Sequence, residues 1–201
     1  MYKVGITGGI GAGKSTVCDL LRERGVAVYD SDSRAKQLMS EDVMLRAELI
    51  EAFGDAVYGA SGLDRAYLAK SVFGNDEALR KLNAIVHPAV MRDFAEWAEV
   101  QEGDYVVLES AILFEAGLAD RVDSVVAVMA PESLRLERAM ARDGASRDEI
   151  LHRIRSQMSD DERMERAKYA VVNIDREELA EDVEQLHRRL CYDSKANCHQ
   201  S

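Results

Sequence analysis

The stretch GITGGIGAGKST near the N-terminus carries the residues best suited to chemistry. Its Gly8, Gly13, Lys14 and Ser15 fit the spacing G-x-x-x-x-G-K-[ST], in which backbone amides surround phosphate oxygens at the start of a helix. The lysine reaches the β- and γ-phosphates, and the hydroxyl binds Mg²⁺. The other interpretation, a tight turn between a strand and a helix, is disfavoured because the strand, lysine, hydroxyl and following helix (15–24) are all in register. The sequence predicts a nucleotide site.

A second candidate is the pair of carboxylates in VYDSDSRAK, where Asp30 and Asp32 follow the apolar run 26–29. Two carboxylates two residues apart on an extended turn point the same way, so one can bind a metal and one can accept a proton from a substrate hydroxyl. General-base help of this kind is typically worth about 10²–10⁴-fold. The other interpretation is an Asx turn or a helix N-cap. We prefer function, with Asp32 as the base.

The missing motifs narrow the class of nucleotide-binding protein. A switch GTPase is expected to show D-x-x-G and N-K-x-D, and neither occurs in the sequence. The chain is also short for a motor. The sequence therefore predicts a small kinase, whose second site must exclude water from the transferred phosphate. A different small-molecule kinase, of the shikimate or nucleoside type, and a non-catalytic nucleotide switch remain the alternatives.

Three arginines, Arg135, Arg138 and Arg142, share one face of a predicted helix. Phosphoryl transfer needs cations on the phosphate, and a bidentate guanidinium suits that task better than lysine. The other interpretation is a solvated stripe paired with nearby carboxylates, which is the commoner fate of surface arginines. We prefer a functional role for Arg142 over one for Arg138. The carboxylates within reach are Glu132, Glu137 and Asp143.

The elements that must position these residues alternate between apolar strand-like runs and longer helical runs. This pattern predicts an α/β protein, a P-loop three-layer sandwich around a five-stranded parallel sheet. A block with helical periodicity and no strand separates the second strand from the third, and a simple crossover needs only one helix. We expect that block to be an insertion that holds a second substrate beyond the carboxyl ends of the strands. The predicted strands are 3–7, 26–29, 105–109, 124–129 and 169–174.

The domain organisation follows from these elements. The nucleotide-binding core is interrupted by the helical insertion, and a charged helical stretch within the core forms a lid. The C-terminal CYDSKANCHQS is small and polar, which is typical of a frayed, flexible tail. Four aromatic residues of the insertion, Tyr67, Phe73, Phe94 and Trp97, are predicted to be core residues. The boundaries are 1–32 and 104–190 for the core, about 138–168 for the lid, 33–103 for the insertion and 191–201 for the tail.

Composition excludes several classes of protein. The net charge of -11 over 201 residues argues against a nucleic-acid binder, whose signature is a basic excess. No apolar run approaches the roughly 20 residues that span a bilayer, and the N-terminus does not fit a signal peptide. The three cysteines are sparse and odd in number, which favours a reduced, cytoplasmic setting. We therefore expect neither nucleic acid nor membrane as a partner, and the oligomeric state stays open.

Four motifs together resemble the dephospho-CoA kinase family in order and spacing: TGGIGAGKST, VAVYDSDSRAK, LNAIVHPAV and ILFEAGL. The resemblance runs from residue 1 to about residue 190. It implies a kinase that uses ATP and Mg²⁺ to phosphorylate the 3′-hydroxyl of the dephospho-CoA ribose, the last step of coenzyme A biosynthesis. The large insertion and VHPAV discriminate against the shikimate- and nucleoside-type alternatives.

Carried over by position, the resemblance implies roles for individual residues. Asp32 matches the family's proposed base, and Lys14 and Arg142 complete the catalytic set. Gln157 matches a glutamine of the lid. The ATP-binding set comprises Gly9, Ile10, Gly11, Ala12, Gly13, Lys14, Ser15, Thr16, Arg142 and Asn173, the last near the adenine.

The resemblance also implies an acceptor site formed by Asp32, His87 and Glu115. His87 precedes Pro88, which we expect at the first position of a helix. We expect Mg²⁺ on the Ser15 hydroxyl, with Asp30 or Glu109 reaching it through water. One departure is Ala111, which stands where the family commonly has proline.

Overall fold

The computed structural model describes residues 1–198. The chain divides into two compact units. One, here called the core unit, comprises Met1–Tyr29 and the chain from Ala98 onward, and the other, the helical unit, comprises Asp30–Trp97. The helical unit thus begins at 30 and ends at 97, where the sequence placed the insertion at 33–103.

The described residues form seven strands and nine α-helices, joined by loops and short turns. The strands are β1 (Tyr2–Thr7), β2 (Ala27–Asp30), β3 (Tyr58–Gly59), β4 (Gly62–Leu63), β5 (Tyr105–Glu109), β6 (Ser124–Met129) and β7 (Tyr169–Val172). The helices are α1 (Lys14–Arg22), α2 (Ser31–Glu41), α3 (Val43–Phe53), α4 (Arg65–Val72), α5 (Asp76–Glu99), α6 (Glu132–Asp143), α7 (Arg147–Arg155), α8 (Asp160–Arg166) and α9 (Arg176–Cys198).

The main sheet has five strands in the order β2-β5-β1-β6-β7. The central β1 pairs in parallel with β5 and β6, and β6 pairs in parallel with β7. All five strands were predicted from their apolar runs, and the α/β fold with a five-stranded parallel sheet is confirmed. Since the chain leaves the carboxyl end of β1 and enters α1, the glycine-rich stretch lies at the edge of the sheet where ligands of such folds bind.

The core unit is held together by apolar side chains of the sheet and of the two helices α1 and α9. Val4 and Ile6 of β1 are fully buried, as are Leu21 of α1 and Leu179 and Leu190 of α9, and all belong to one hydrophobic cluster. Burying a side chain of this size contributes about 1.5–3 kcal/mol. The cluster therefore anchors α1, and with it the glycine-rich stretch, against the sheet.

The helical unit contains α2 to α5 and one short hairpin. Aspartates cap three of its helices: the side chains of Asp30, Asp42 and Asp64 accept hydrogen bonds from backbone N–H groups in the first turns of α2, α3 and α4. The expectation that this block has no strand is wrong, because β3 and β4 pair in antiparallel fashion. Two-residue strands are too short to produce a recognisable apolar run.

Pro88 is not at the start of a helix, contrary to the prediction. It lies inside α5, which continues from Asp76 to Glu99. A proline there cannot donate a backbone hydrogen bond and costs about 3 kcal/mol in a helix interior. The neighbouring Val86, Ala89 and Val90 are all buried, and their burial favours continuation of the helix through the proline.

The aromatic residues of the helical unit divide into two groups. Phe94 is buried as predicted, and its ring stacks on Trp97 at a centroid distance of 6.0 Å. The prediction of a core position is wrong for Phe73, which is 90% exposed, and Tyr67 is also exposed. Phe73 follows the last residue of α4 at its C-cap and therefore belongs to no buried helix face.

The predicted flexible tail is wrong for residues 191–198, because α9 extends to Cys198. Three hydrogen bonds fix this last part to residues at the beginnings of β5 and β7. The Ser194 hydroxyl donates to the carbonyl of Asp104, and Asp193 accepts hydrogen bonds from Lys168 and from Tyr169. Residues 199–201 lie outside the described residues. Within the described chain, every helix is too short or too polar to span a bilayer.

Candidate active site

The two glycines of the phosphate-binding pattern lie where a side chain has no room. A Cβ on Gly8 would lie 2.4 Å from the carbonyl oxygen of Val128. Gly13 is the N-cap of α1 with φ of 89°, and a Cβ there would lie 1.9 Å from Nδ2 of Asn173. Both positions therefore require glycine, because backbone and side chains from β6 and the segment after β7 approach the loop closely.

Lys14 and the start of α1 make the loop suitable for an anion. The Lys14 ammonium donates to the carbonyl of Gly8 at 3.0 Å, so the side chain folds back along the loop. The first N–H groups of a helix have no acceptor within the helix, and the N-terminus carries a partial positive charge. Ser15 and Thr16 occupy this first turn, with Ser15 exposed. The arrangement is that of a phosphate site.

Asn173 connects the phosphate loop to α6. Its Nδ2 donates to the carbonyl of Ala12 at 2.9 Å, and its own carbonyl accepts from Arg138 at 3.0 Å. Beside these residues lies a cavity of about 200 Å³. Its lining residues are Gly13, Thr16, Arg138, Asn173, Arg176 and Leu179. Asn173 is thus in direct contact with the P-loop.

Ile10, at the tip of the loop, is held through both its backbone N–H and its backbone carbonyl. The backbone N–H of Ile10 donates to Oε1 of Gln157 at 2.9 Å. The carbonyl of Ile10 accepts from Nε of Arg135 at 3.1 Å. The residues after α7 and those of α6 therefore fix the loop without any contribution from a ligand.

Glu115 is bound to the lid rather than left free. Its Oε1 accepts from the backbone N–H of Met158 at 3.2 Å and from Arg163 at 3.4 Å. Arg163 is fully buried and also contacts Asp160 of its own helix at 3.1 Å. The lid residues and the segment after β5 are thereby connected through charged hydrogen bonds.

Arg142 lies at the end of α6 and is bound to its neighbour. Its guanidinium donates to Asp143 at 2.7 Å, and Arg153 contacts the same carboxylate at 2.8 Å. The hydrogen bond from Arg142 lowers the pKa of Asp143, and Arg153 adds to this effect. With 63% of its side chain exposed, Arg142 contacts a carboxylate that the sequence had suggested as its partner, while its role toward phosphate stays a prediction.

Oxygen ligands for Mg²⁺ are present near the loop. Glu109 ends β5 and lies opposite Ile6 of β1 in the register of the sheet. Burial, then the charge of Glu109 and a hydrogen bond with it, raises the pKa of the Cys18 thiol, so this carboxylate lies against α1. Cys18 and Ser15 are three residues apart on that helix and so neighbours on its surface. Mg²⁺ prefers oxygen ligands, and the residues present fit the ion.

A family model described as CoaE, dephospho-CoA kinase, matches residues 2–178. The chain belongs to the dephospho-CoA kinase family. The dephospho-CoA kinase of Bacteroides fragilis is 45% identical over 172 residues, which cover 85% of this chain and 84% of that protein.

Solved structures share this fold. One from Thermus thermophilus is 38% identical and matches with a TM-score of 0.81 over 96% of this chain and 97% of that one. The dephospho-CoA kinase from Campylobacter jejuni matches with a TM-score of 0.70 over 97% and 98% of the two chains. At 22% identity, that likeness shows the fold.

The two aspartates at the end of β2 and the start of α2 differ in what they contact. Asp30 accepts hydrogen bonds from the backbone of Asp32 and from the backbone and hydroxyl of Ser33. Burial by itself raises the pKa of Asp30, but these hydrogen bonds outweigh burial and lower it. The N-cap interpretation is therefore right for Asp30. Asp32 is exposed in the first turn of α2, and its carboxylate has no hydrogen-bond partner in the described part of the chain.

His87 lies in the middle of α5 and is half-buried. Burial lowers the pKa of its imidazole. A neutral imidazole has one donor and one acceptor nitrogen, so it can exchange hydrogen bonds with a polar substrate group without contributing charge. Its role as an acceptor contact stays a prediction.

Sequence reasoning missed the buried arginines Arg135 and Arg163. Arg135 was on the predicted arginine face but received no role, and Arg163 lies in the charged run DDERMER, where nothing distinguishes it from its neighbours. Both side chains are buried, with 4% and 0% exposed. Only the packing of α6 against α7 and the phosphate loop, and of α8 against β6, decides which arginine of a charged helix is buried.

Proposed function

We propose that the chain transfers the γ-phosphoryl group of ATP to the 3′-hydroxyl of the dephospho-CoA ribose, which yields coenzyme A and ADP. One observation carries this proposal: the chain belongs to the dephospho-CoA kinase family and has an intact phosphate loop. In that loop, Lys14 at the N-terminus of α1 folds back onto the carbonyl of Gly8. With these substrates the protein would be a kinase of small molecules, and we propose that it acts in the cytoplasm.

ATP would bind with its phosphates on the backbone of residues 9–16. The loop is already held by Gln157, Arg135 and Asn173, so the N–H groups need little rearrangement to receive phosphate oxygens. The cavity beside Asn173 and Arg138 is a suitable place for the adenine. An amide side chain can pair with the base edge, while an arginine can stack on its face.

Mg²⁺ would be held by the Ser15 hydroxyl, with Glu109 or Asp30 reaching it through water. When bound, the ion neutralises charge on the phosphates. The protein's own contribution is to offer oxygen ligands beside the loop, and the exposed Ser15 hydroxyl is suited to this because it has no partner elsewhere in the described chain.

Asp32 would act as the general base. Its carboxylate would accept the proton of the ribose 3′-hydroxyl while that oxygen forms a bond to the γ-phosphorus. The bond between the γ-phosphorus and its bridging oxygen breaks, and ADP leaves with that oxygen. The engaged Asp30 and the unengaged Asp32 favour this choice, since only a carboxylate with free lone pairs can receive a proton.

Charge on the moving phosphoryl group would be stabilised by cations. Lys14 is already at the loop. Arg142 is exposed at the end of α6 and would exchange Asp143 for a phosphate oxygen. His87 and Glu115 would contact the acceptor. Positioning and charge stabilisation of this kind supply most of the catalysis in phosphoryl transfer.

The test is a measurement of ADP formation with ATP–Mg²⁺ and a panel of acceptors: dephospho-CoA, shikimate, nucleosides and water. We expect ADP with dephospho-CoA and a product phosphorylated at the ribose 3′ position, identified by phosphorus NMR. Lys14→Ala is the control that must abolish the signal. Turnover with shikimate or a nucleoside but not with dephospho-CoA would refute the proposed acceptor, and ADP formation with water alone would refute the kinase.

A further inference from the structure

Arg135 is a buried arginine of α6 that the proposed chemistry does not use. Only 4% of the residue is exposed. Its Nε donates to the carbonyl of Ile10 at 3.1 Å, and one terminal nitrogen donates to Asp160 at 2.5 Å. Both arms of the guanidinium are thus occupied, one by the phosphate loop and one by the lid helix α8.

The glycines of the loop show how closely Arg135 supports it. Gly9 and Gly11 are not demanded by the phosphate-binding pattern, which requires only Gly8 and Gly13. A Cβ on Gly9 would lie 2.3 Å from a terminal nitrogen of Arg135. A Cβ on Gly11, where φ is +75°, would lie 2.2 Å from the Arg135 carbonyl oxygen. The loop therefore rests directly on this one residue.

Arg135 supports the loop at the backbone of Ile10. Arg135 fixes the carbonyl of Ile10, and Gln157 fixes its N–H. Because the N–H and the carbonyl of Ile10 are both hydrogen-bonded, neither the Gly9–Ile10 nor the Ile10–Gly11 peptide group can rotate without breaking a hydrogen bond. The neighbouring N–H groups of the loop must point at phosphate oxygens, and their direction depends on this peptide.

We propose that Arg135 is a positioning residue, which holds the Gly9–Gly11 backbone in the conformation that receives the phosphates of the nucleotide. It acts through the carbonyl of Ile10 and does not itself touch the phosphates. Asp160 holds the other arm and keeps the guanidinium in place. The inference rests on the proposed function only in that a nucleotide occupies the loop.

The competing explanation is a purely structural ion pair that ties α8 to α6. Arg24 provides a matched control for it. Like Arg135, Arg24 contacts a carboxylate, Glu184, at 2.8 Å and donates to a backbone carbonyl, Leu20, at 2.6 Å, although 23% of its side chain is exposed. It bridges α1 and α9 and makes no contact with the loop.

The experiment compares Arg135→Gln with Arg24→Gln by calorimetric titration of ADP in the presence of Mg²⁺, together with thermal unfolding. We expect Arg135→Gln to raise the dissociation constant of ADP by about tenfold or more, as for loss of one hydrogen bond to a charged group. Arg24→Gln should lower the melting temperature and leave ADP affinity within about twofold. Equal affinities of the two variants would overturn the inference.

Two further variants guard against a folding defect, since loss of Arg135 leaves Asp160 with Arg163 as its remaining partner. In Arg135→Gln/Asp160→Asn the ion pair between the two residues is absent as a whole, while an amide oxygen at position 160 can still accept from Arg163. ADP binding should stay as weak as in Arg135→Gln. Arg135→Lys should bind ADP with intermediate affinity, because an ammonium can reach the carbonyl or the carboxylate but lacks the planar fork. Recovery of affinity in the double variant would show that Arg135 acts through stability alone.

The failure of this inference is distinguishable from failure of the proposed function. Titration with ADP needs neither the acceptor nor turnover, so a different acceptor would leave the result intact. If the unmodified protein binds no ADP, both the nucleotide site and the role of Arg135 fall. If the unmodified protein and Arg135→Gln bind ADP with equal affinity, only the proposed role of Arg135 is refuted.

Discussion

Candidate residues around the phosphate loop of the core unit are hydrogen-bonded to the loop backbone, whereas the proposed base and the proposed acceptor contact of the helical unit use no side-chain hydrogen bond within the described residues. Around the phosphate loop, Lys14, Gln157 and Asn173 each donate to or accept from the loop backbone. In the helical unit, Asp32 and His87 make no side-chain hydrogen bond within residues 1–198. One part of the enzyme has its geometry built in, and the other presents side chains whose hydrogen-bonding capacity is unused.

The difference in hydrogen bonding between the two groups of residues matches their proposed tasks, charge stabilisation at the loop and proton acceptance at Asp32. Charge stabilisation works best when dipoles and cations are already oriented, because no reorganisation is needed during the reaction. A general base needs the opposite, namely a lone pair that no other donor occupies. Changes at residues that contact the phosphate loop should therefore affect both nucleotide binding and turnover, whereas changes at Asp32 should affect turnover alone.

The largest effect is expected for Lys14→Ala. It removes the ammonium from the loop and should lower kcat/KM by about 10²–10³-fold or more, a loss comparable to that of a transition-state donor. ADP affinity should fall as well. Steady-state kinetics and calorimetric titration measure the two. Arg22→Ala, at the other end of the same helix and exposed, should change neither, and unaltered kinetics in Lys14→Ala would contradict the assigned phosphate site.

Asp32→Asn should lower kcat by about 10²-fold or more while ADP affinity stays within about twofold. The amide keeps the shape of the side chain but cannot accept the proton. Single-turnover kinetics and ADP titration separate the two quantities. Asp76→Asn is the matched control, since Asp76 is another exposed aspartate in the first turn of a helix of the same unit. Near-normal turnover in Asp32→Asn would remove Asp32 as the base.

Arg142→Ala should weaken transfer by about tenfold or more, because a cation that stabilises the moving phosphate is lost. The unfolding free energy should change by less than about 0.5 kcal/mol, since exposed ion pairs contribute little. Kinetics and urea unfolding test this. Arg188→Ala, an exposed arginine paired with Glu184 on α9, is the control. Normal kinetics with a clear loss of stability would favour the solvated stripe instead.

The smallest effect is a pH dependence of stability at His87. Because burial lowers the pKa of His87, the unfolded chain binds a proton at a pH where the native chain does not. The unfolding free energy should therefore decrease as pH falls below about 6.5, the usual value for histidine. Urea unfolding across this range should show a weaker dependence for His87→Gln than for the unmodified protein, and the exposed His152→Gln should leave the dependence in place.

Much of the fold was predictable because its signals are local. The five strands of the main sheet are continuous apolar runs, and the phosphate loop has a fixed spacing between glycine, lysine and hydroxyl. The errors concern features that local patterns do not report. Proline usually starts a helix, yet Pro88 lies within one because its neighbours are buried. The polar tail is helical because Asp193 and Ser194 find partners far away in the sequence.

The candidate site divides in the same way. Gly8, Gly13, Lys14 and Asp32 were predicted from their types and spacing, and Asn173, Gln157 and Glu115 from resemblance. The contacts of Arg135 with Ile10 and of Arg163 with Glu115 join residues between 48 and 125 positions apart. No periodicity or motif encodes such pairs.

The amino-acid sequence by itself determined the chemistry available to this protein: a loop that accepts phosphates, a carboxylate after the second strand and a helical insertion between strands. It could do so because backbone conformation, strand formation and the first turn of a helix depend on residues close together in the chain. Which arginines are buried, and which of two aspartates keeps its lone pairs free, only the tertiary structure decided. Those outcomes depend on burial and on partners brought together by folding, and neither is a property of a short stretch of sequence.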